Sequence, residues 1–169
     1  DPIVSQEEYT QVWRRERRNA TPLGYIQTWN SSFINEDLRN GVRMTGDNLK
    51  TVKTLDAIIE RNTLPKDVLL YRYEDSGYIQ FLNNNAGMIL SDPGFKSTSC
   101  VEGLNVFGDD RDVRVNIRAK KGAHAFVTVN IPESEVILPR GSRLKLISAR
   151  SLVRPDDGRI LIVIDCDLL

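Results

Sequence analysis

Near Pro65 the hydrophobic repeat of this chain changes from helical to extended, and that switch limits the folds open to it. Before it, apolar residues recur three and four apart: Tyr9, Val12 and Trp13, then Leu49, Val52, Leu55 and Ile59. After it they alternate with polar ones: Val113, Val115 and Ile117 with Arg114, Asn116 and Arg118, then Val127, Val129 and Ile131, then Leu144 and Leu146 with Arg143 and Lys145. Alternation of this kind reads as half-buried strands. The unbroken runs Val68-Leu69-Leu70-Tyr71, Val136-Ile137-Leu138 and residues 160–164 read as buried ones. Helices first and strands afterwards, without strand–helix alternation, argue for an α+β domain with a mixed, mainly antiparallel sheet rather than a doubly wound one.

Local signals place the helices. Ser5 with Glu8 three residues on is a capping box, and the helix it opens is expected to end before Thr21-Pro22. A short helix is expected over 34–39, closed by Asn40-Gly41, and a third capped by Asp47 and ending near Asn62. Residues 83–94 and 100–111 are polar or glycine-containing and are expected as the two long loops, the kind of segment that carries function. With 169 residues, 40% of them hydrophobic, one domain is expected over 1–169, helical to about residue 65 and strand-rich from about 66.

Charge and cysteine content remove several classes. The 23 Lys+Arg balance 23 Asp+Glu, so there is no global attraction to nucleic acid or to an anionic membrane, and neither is expected as a partner. No apolar run approaches the ~18 residues of a membrane span. Cys100 and Cys166 are too few for a disulfide scaffold, and whether they pair is left open. A Walker loop, a Gly-x-Gly-x-x-Gly turn, a His-x-x-x-His pair and a Cys-x-x-Cys pair are all missing, which argues against a metal or nucleoside-triphosphate enzyme. His124 is the single histidine, and beside Gly122-Ala123 it reads as structural or solvent-exposed.

Three features remain. Arg72 ends the run Val68-Leu69-Leu70-Tyr71; Ser97-Thr98-Ser99 follows Gly94-Phe95-Lys96; and Glu133-Ser134-Glu135 precedes Val136-Ile137-Leu138 and Pro139-Arg140-Gly141-Ser142. Singly, each has an ordinary reading: a surface arginine, a hydroxyl-rich turn, a solvated acidic edge. In extended backbone, residues two apart share a face, so the carboxylates of Glu133 and Glu135 would project into one space.

In that order the three resemble the arginine, Ser-Thr-Ser, Glu-x-Glu class of mono-ADP-ribosyltransferase toxins, which includes the enzymes of clostridial actin-modifying binary toxins and the C3-like exoenzymes. The resemblance covers almost the whole chain. It implies N-terminal helices packed on a β-sandwich core of ADP-ribosyltransferase type, NAD as substrate and no metal. Glu135 would be the catalytic glutamate, hydrogen-bonding a ribose hydroxyl and stabilising positive charge as nicotinamide leaves. Arg72 would anchor an NAD phosphate or nearby backbone, and Ser97 would hold Glu135 in position. Asn35-x-x-Leu38-Arg39 resembles the Asn-x-x-Leu-Arg of toxin members and makes Asn35 and Arg39 cofactor-binding candidates, with Arg39 on a phosphate. Phe107 would face nicotinamide and Arg111 a phosphate.

Glu133, where asparagine-modifying members carry glutamine, implies an arginine acceptor on a target protein, with actin or another host protein as candidates. The turn before Glu133 is shorter than is usual in the family, which leaves the target open. The basic stretch Trp13-Arg14-Arg15-Glu16-Arg17-Arg18 reads as a solvated helix face, with partner docking as the alternative. By resemblance the protein would be a monomeric virulence factor, secreted or delivered into a host cytosol; whether a separate translocation component works with it is left open. An NAD glycohydrolase on the same scaffold and a catalytically silent protein-binding module are the competing functions.

Overall fold

A computed structural model describes residues 1–10, 33–74, 86–102, 111–128, 134–155 and 157–169. The first helix, α1 (Gln6–Glu8), opens as the capping box requires: the Ser5 hydroxyl accepts the Glu8 N–H at 3.1 Å. Its expected end before Thr21 and the basic stretch 13–18 lie outside the described residues. The second, α2 (33–39), stops where Gly41 takes a positive φ of 71° and the Val42 N–H returns to the Asp37 carbonyl at 2.9 Å, a left-handed closure that glycine permits without strain. The third, α3 (Gly46–Arg61), buries Val52, Leu55, Ile58 and Ile59 along one side and stops at Asn62. Its cap differs from the expected one. Thr45 occupies the N-cap and Asp47 lies inside the first turn, where its charge complements the helix dipole.

Eight strands follow among the described residues: β1 (Val68–Glu74), β2 (Ile89–Asp92), β3 (Lys96–Ser99), β4 (Val113–Ala119), β5 (Phe126–Val127), β6 (Glu135–Leu138), β7 (Ser142–Val153) and β8 (Ile160–Leu168). Their order is β2-β7-β8-β4-β1-β3-β6-β5, antiparallel at every junction except β4 with β8. The fold is therefore α+β with a mixed, mainly antiparallel sheet. It divides into two wings. β2-β7-β8-β4-β1 and β3-β6-β5 meet through one residue pair, Tyr71 opposite Ser99.

Both wings face one core: Leu70, Val113, Val115, Ile117, Leu144, Leu146 and Ile164 of the larger pack with Val127, Val136 and Leu138 of the smaller. Alternate residues of β5, β6 and the approach to β3 turn away from that core. Phe126, Ile137 and Phe95 bury themselves against Ile34 of α2 and Val52, Leu55, Ile58 and Ile59 of α3. The helices thus cover the outer face of the smaller wing.

Several strands depart from expectation for physical reasons. Ile89–Asp92, expected within a loop, is an edge strand paired with Ser142–Lys145; Ile89 is exposed and Leu90 half-buried, so little apolar signal marks it. β5 is described over Phe126–Val127, and the rest of the alternation expected there, through 129–131, lies outside the described residues. β7 runs far past Leu146 through a bulge, and Ser148–Val153 is exposed on both faces. β8 continues to Leu168, and its first residue, Ile160, is exposed rather than buried. On β4 two of the three polar positions are covered too, Arg118 alone being exposed. Arg114 and Asn116 are 8% and 4% exposed, with Arg114 donating to Asn116 Oδ1 at 3.0 Å and Glu102 Oε1 at 3.1 Å, its guanidinium 5.5 Å from the Tyr71 ring centre.

Cys100 and Cys166 are free and buried in the shared core, where burial pushes their thiols up to about 12 and about 11. Neither should react with a thiol reagent at pH 8 in the native protein, and both should react once denaturant is added. Native reactivity of either would contradict this packing. An unfolded thiol ionises near ~8.5. The raised native values therefore mean that stability is fully present below that pH and declines as pH rises toward 11 to 12.

Candidate functional site

The seam between the wings brings the sequence candidates together. On β1, Val68 and Leu70 point into the core, and Arg72 continues the same face beside the Tyr71–Ser99 pair. Its Nη1 donates to the Ser97 carbonyl at 2.8 Å, and its Nε donates to Glu74 Oε1 at 2.5 Å. Arg72 thus bonds both the backbone of β3 and its own strand neighbour Glu74.

β3 lies antiparallel to β6, with Ser97 opposite Ile137 and Ser99 opposite Glu135. Each of the three hydroxyls has its own task. Ser97 Oγ donates to Glu135 Oε2. Thr98, on the other face, donates to the Val136 carbonyl at 2.7 Å and stitches the two strands together. Ser99 accepts the Val101 N–H at 3.2 Å and terminates the strand. Glu135 is buried, and its second oxygen, Oε1, accepts from Thr128 Oγ1 at 3.1 Å. The carboxylate is therefore oriented from both sides.

Thr128 and Tyr9 escaped the sequence reading. The Tyr9 hydroxyl, fully buried, lies 2.7 Å from the Thr128 carbonyl and 3.0 Å from the Glu135 carbonyl, and the Thr128 N–H donates to that same Glu135 carbonyl at 3.1 Å. A residue that reads as an apolar helix position thus ties α1 to the start of β6. Its only sequence signal is the phenol itself, which needs a partner when buried.

Just before Ser97 the chain meets α2. Asn35 Oδ1 accepts the Phe95 N–H at 2.8 Å. Arg39 grips Asp92 through Nε at 2.9 Å and Nη2 at 3.1 Å, and Nη2 also reaches the Phe95 carbonyl at 3.3 Å. Asp92 accepts in addition from the Gly94 N–H at 2.9 Å and from Lys96 Nζ at 3.1 Å. Burial alone would raise the Asp92 carboxyl, but the Arg39 hydrogen bond, the Lys96 charge and the Gly94 N–H outweigh it and hold the group below its usual value. Lys96 is lowered, chiefly by its own burial and then by the nearby Arg72 charge. Glycine at 94 leaves room for both side chains, since a Cβ there would sit 3.0 Å from Arg39 Nε and 3.1 Å from Asn35 Oδ1 and the two would have to shift.

Arg72, Ser97 and Glu135 form one bonded group, and Asn35 and Arg39 a second along the same strand. Arg111 is half-buried ahead of β4, its carbonyl accepting from Arg154 at 3.3 Å. Phe107 and Glu133 lie outside the described residues. A cavity of about 530 Å³, lined by Asp56, Glu60, His124 and Arg140 among others, opens at the far end of β6 and includes none of Arg72, Ser97 or Glu135. His124 there is exposed, with Nδ1 3.2 Å from the Asn62 carbonyl.

A family model described as ADP-ribosyltransferase exoenzyme matches residues 8–169. Among solved structures, the chain is similar to Plx2a, an ADP-ribosyltransferase toxin from Paenibacillus larvae, at 20% identity with a TM-score of 0.80, covering 100% of this chain and 98% of that one. The Clostridium limosum C3 exoenzyme gives 20% identity and a TM-score of 0.80 over 100% of this chain and 97% of the other. C3stau2 from S. aureus, solved with NAD, gives 22% and 0.80 over 100% and 98%. At these identities the structural likeness speaks to the fold. No curated protein matches the chain.

Tyr9→Phe removes the one phenolic donor shared by two buried carbonyls. It should lower the free energy of unfolding by about 1–3 kcal/mol in urea titration. An unchanged midpoint would show that the hydroxyl does not hold the start of β6.

Proposed function

The chain belongs to the ADP-ribosyltransferase exoenzyme family, and on that premise we propose that it cleaves NAD and transfers the ADP-ribose to a protein side chain, that of arginine. The observation that carries the reading is the Glu135 carboxylate, buried at the wing seam with a hydroxyl on each oxygen. Cleavage of the bond between nicotinamide and ribose places positive charge on the sugar, and a fixed carboxylate stabilises that charge best when it need not reorganise. Ser97 and Thr128 supply the fixing, and Arg72 holds the strand that carries Ser97.

The other roles follow residue by residue. Arg39 and Arg111 take phosphate oxygens, for which a guanidinium offers charge-assisted, often bidentate bonds. Asn35 shapes the turn before β3 through the Phe95 N–H. Phe107 packs on nicotinamide. Nicotinamide departs neutral as the C–N bond breaks; the acceptor guanidinium nitrogen attacks the ribose carbon, and Glu133 takes the proton that this nitrogen loses. Family membership supports a role as a secreted toxin acting on a host protein, with delivery and target unspecified. A second reading on the same scaffold is an NAD glycohydrolase, in which water replaces the protein acceptor.

Glu135→Gln should reduce NAD cleavage by about 10²–10³-fold while NAD affinity holds within about threefold, because the lost charge acts mainly in the transition state. Near-wild-type turnover would remove Glu135 from its role.

Glu133→Gln should abolish most transfer to agmatine while sparing the slow hydrolysis of NAD. The two rates measured side by side decide it: equal loss of both would mean that Glu133 does not serve the acceptor. Transfer to agmatine that persists at the wild-type rate would mean that a guanidino acceptor does not need the Glu133 carboxylate.

A further inference from the structure

Asp92 stands outside every role assigned so far, yet each of its carboxylate oxygens accepts from two donors. Oδ1 takes Arg39 Nε at 2.9 Å and the Gly94 N–H at 2.9 Å; Oδ2 takes Arg39 Nη2 at 3.1 Å and Lys96 Nζ at 3.1 Å. A carboxylate has about four acceptor sites, and these four donors fill them. So saturated, Asp92 has nothing left to offer a ligand. Its partners differ in exposure. The Asp92 and Lys96 side chains are 14% and 7% exposed, whereas Arg39 is 37% exposed. The carboxylate and ammonium form a covered mount, and the guanidinium is the member presented outward.

Charge supports the same reading. One carboxylate against Arg39 and Lys96 leaves the trio with a net positive charge, so the mount does not cancel the attraction of Arg39 for an anion. Bonding through both Nε and Nη2 also fixes the plane of the guanidinium, which a single contact would leave free to roll. Gly94 is part of the device, since any Cβ there would press on Arg39 Nε from 3.0 Å.

We infer that Asp92 is a positioning residue for dinucleotide binding: it locks Arg39 in the one orientation that meets a phosphate, using Lys96 as a buried counter-charge. This inference rests on the reading of Arg39 as a phosphate contact. Its measure is NAD affinity by titration calorimetry, together with kcat and KM for NAD hydrolysis, in Arg39→Ala, Asp92→Asn, the double variant, Gly94→Ala and Lys96→Met.

Asp92→Asn should weaken NAD binding about tenfold and raise KM to match, with kcat within about twofold, as expected for loss of a charge-assisted fork. In the Arg39→Ala background the same change should have almost no further effect. Gly94→Ala leaves Asp92 intact and should weaken NAD binding severalfold by displacing Arg39, so the inference survives even if Asp92→Asn folds poorly. Lys96→Met removes the counter-charge but leaves the Arg39–Asp92 fork, and should weaken NAD binding by less than Asp92→Asn does. Equal losses from Asp92→Asn with and without Arg39, or full affinity in Gly94→Ala, would overturn the positioning role while leaving Arg39 as a phosphate contact. Full affinity in Arg39→Ala would instead bring down the phosphate reading itself, and the inference with it.

Discussion

The hydrogen bond from the Arg72 guanidinium to the Ser97 carbonyl governs the geometry of this protein where it matters most. Two wings share a buried core, but their ladders touch at a single residue pair, Tyr71 with Ser99. One pair fixes a point of contact and leaves the angle between the sheets open. Arg72 reaches across from β1 to a backbone oxygen of β3 two residues further along, and Glu74 holds the guanidinium from behind. That second point of attachment sets where Ser97 stands, and Ser97 in turn orients Glu135. Replacing Arg72 therefore alters more than a cation: it frees the hinge line on which the carboxylate is mounted. Lysine could supply the charge but not the planar fork that serves Ser97 and Glu74 together.

Around that line the protein spends polar groups where a core would ordinarily place apolar ones. β3 carries Lys96, Ser97, Thr98 and Ser99, a strand with no hydrophobic side chain of its own. It is held by strong flanks, with Phe95 packed on α2 and α3 before it and Cys100 in the shared core after it. The strand between them is thus anchored at both ends and can give its side chains to hydrogen bonds. Buried polar groups are tolerable only when satisfied. Here Thr98 is paired with Val136, Lys96 with Asp92, and Ser97 with Glu135.

What could be read in advance follows from this division of labour. The helices, the core strands and the mixed sheet were legible because Val52, Leu55, Ile59, Val113, Val115 and Ile117 repeat at the spacing of the element they build. Arg72, Ser97 and Glu135 were legible as a constellation, since their order along the chain is distinctive even though each residue alone is ordinary. β2 was not, because an exposed edge strand needs no apolar alternation. Tyr9 was read as a packing residue, Thr128 as one position of an alternating strand, and Asp92 as part of a loop. Each acquires its meaning from a partner distant in sequence: Asp92 from Arg39, 53 residues earlier, and Tyr9 from Glu135, 126 residues later. Such contacts exist only once the wings have closed, and local pattern carries no trace of them.

The position of β8 has a consequence for how the chain reaches this state. β8 is the last strand in the chain order, yet it lies inside the larger wing, antiparallel to β7 on one side and parallel to β4 on the other. Without it, β2-β7 and β4-β1 have no common ladder, and the inner faces of Leu144 and Val115 have nothing to align them. The decisive pairing is long-range and parallel, the kind that forms late because much chain must be ordered before any bond rewards it. A chain emerging N-terminus first can build its helices and isolated hairpins as it appears, but the larger wing assembles only after Ile160–Leu168 arrives. Glu135 and its partners Ser97, Thr128 and Tyr9 all precede β8 in the chain, so the smaller wing can order this carboxylate before the larger wing is complete.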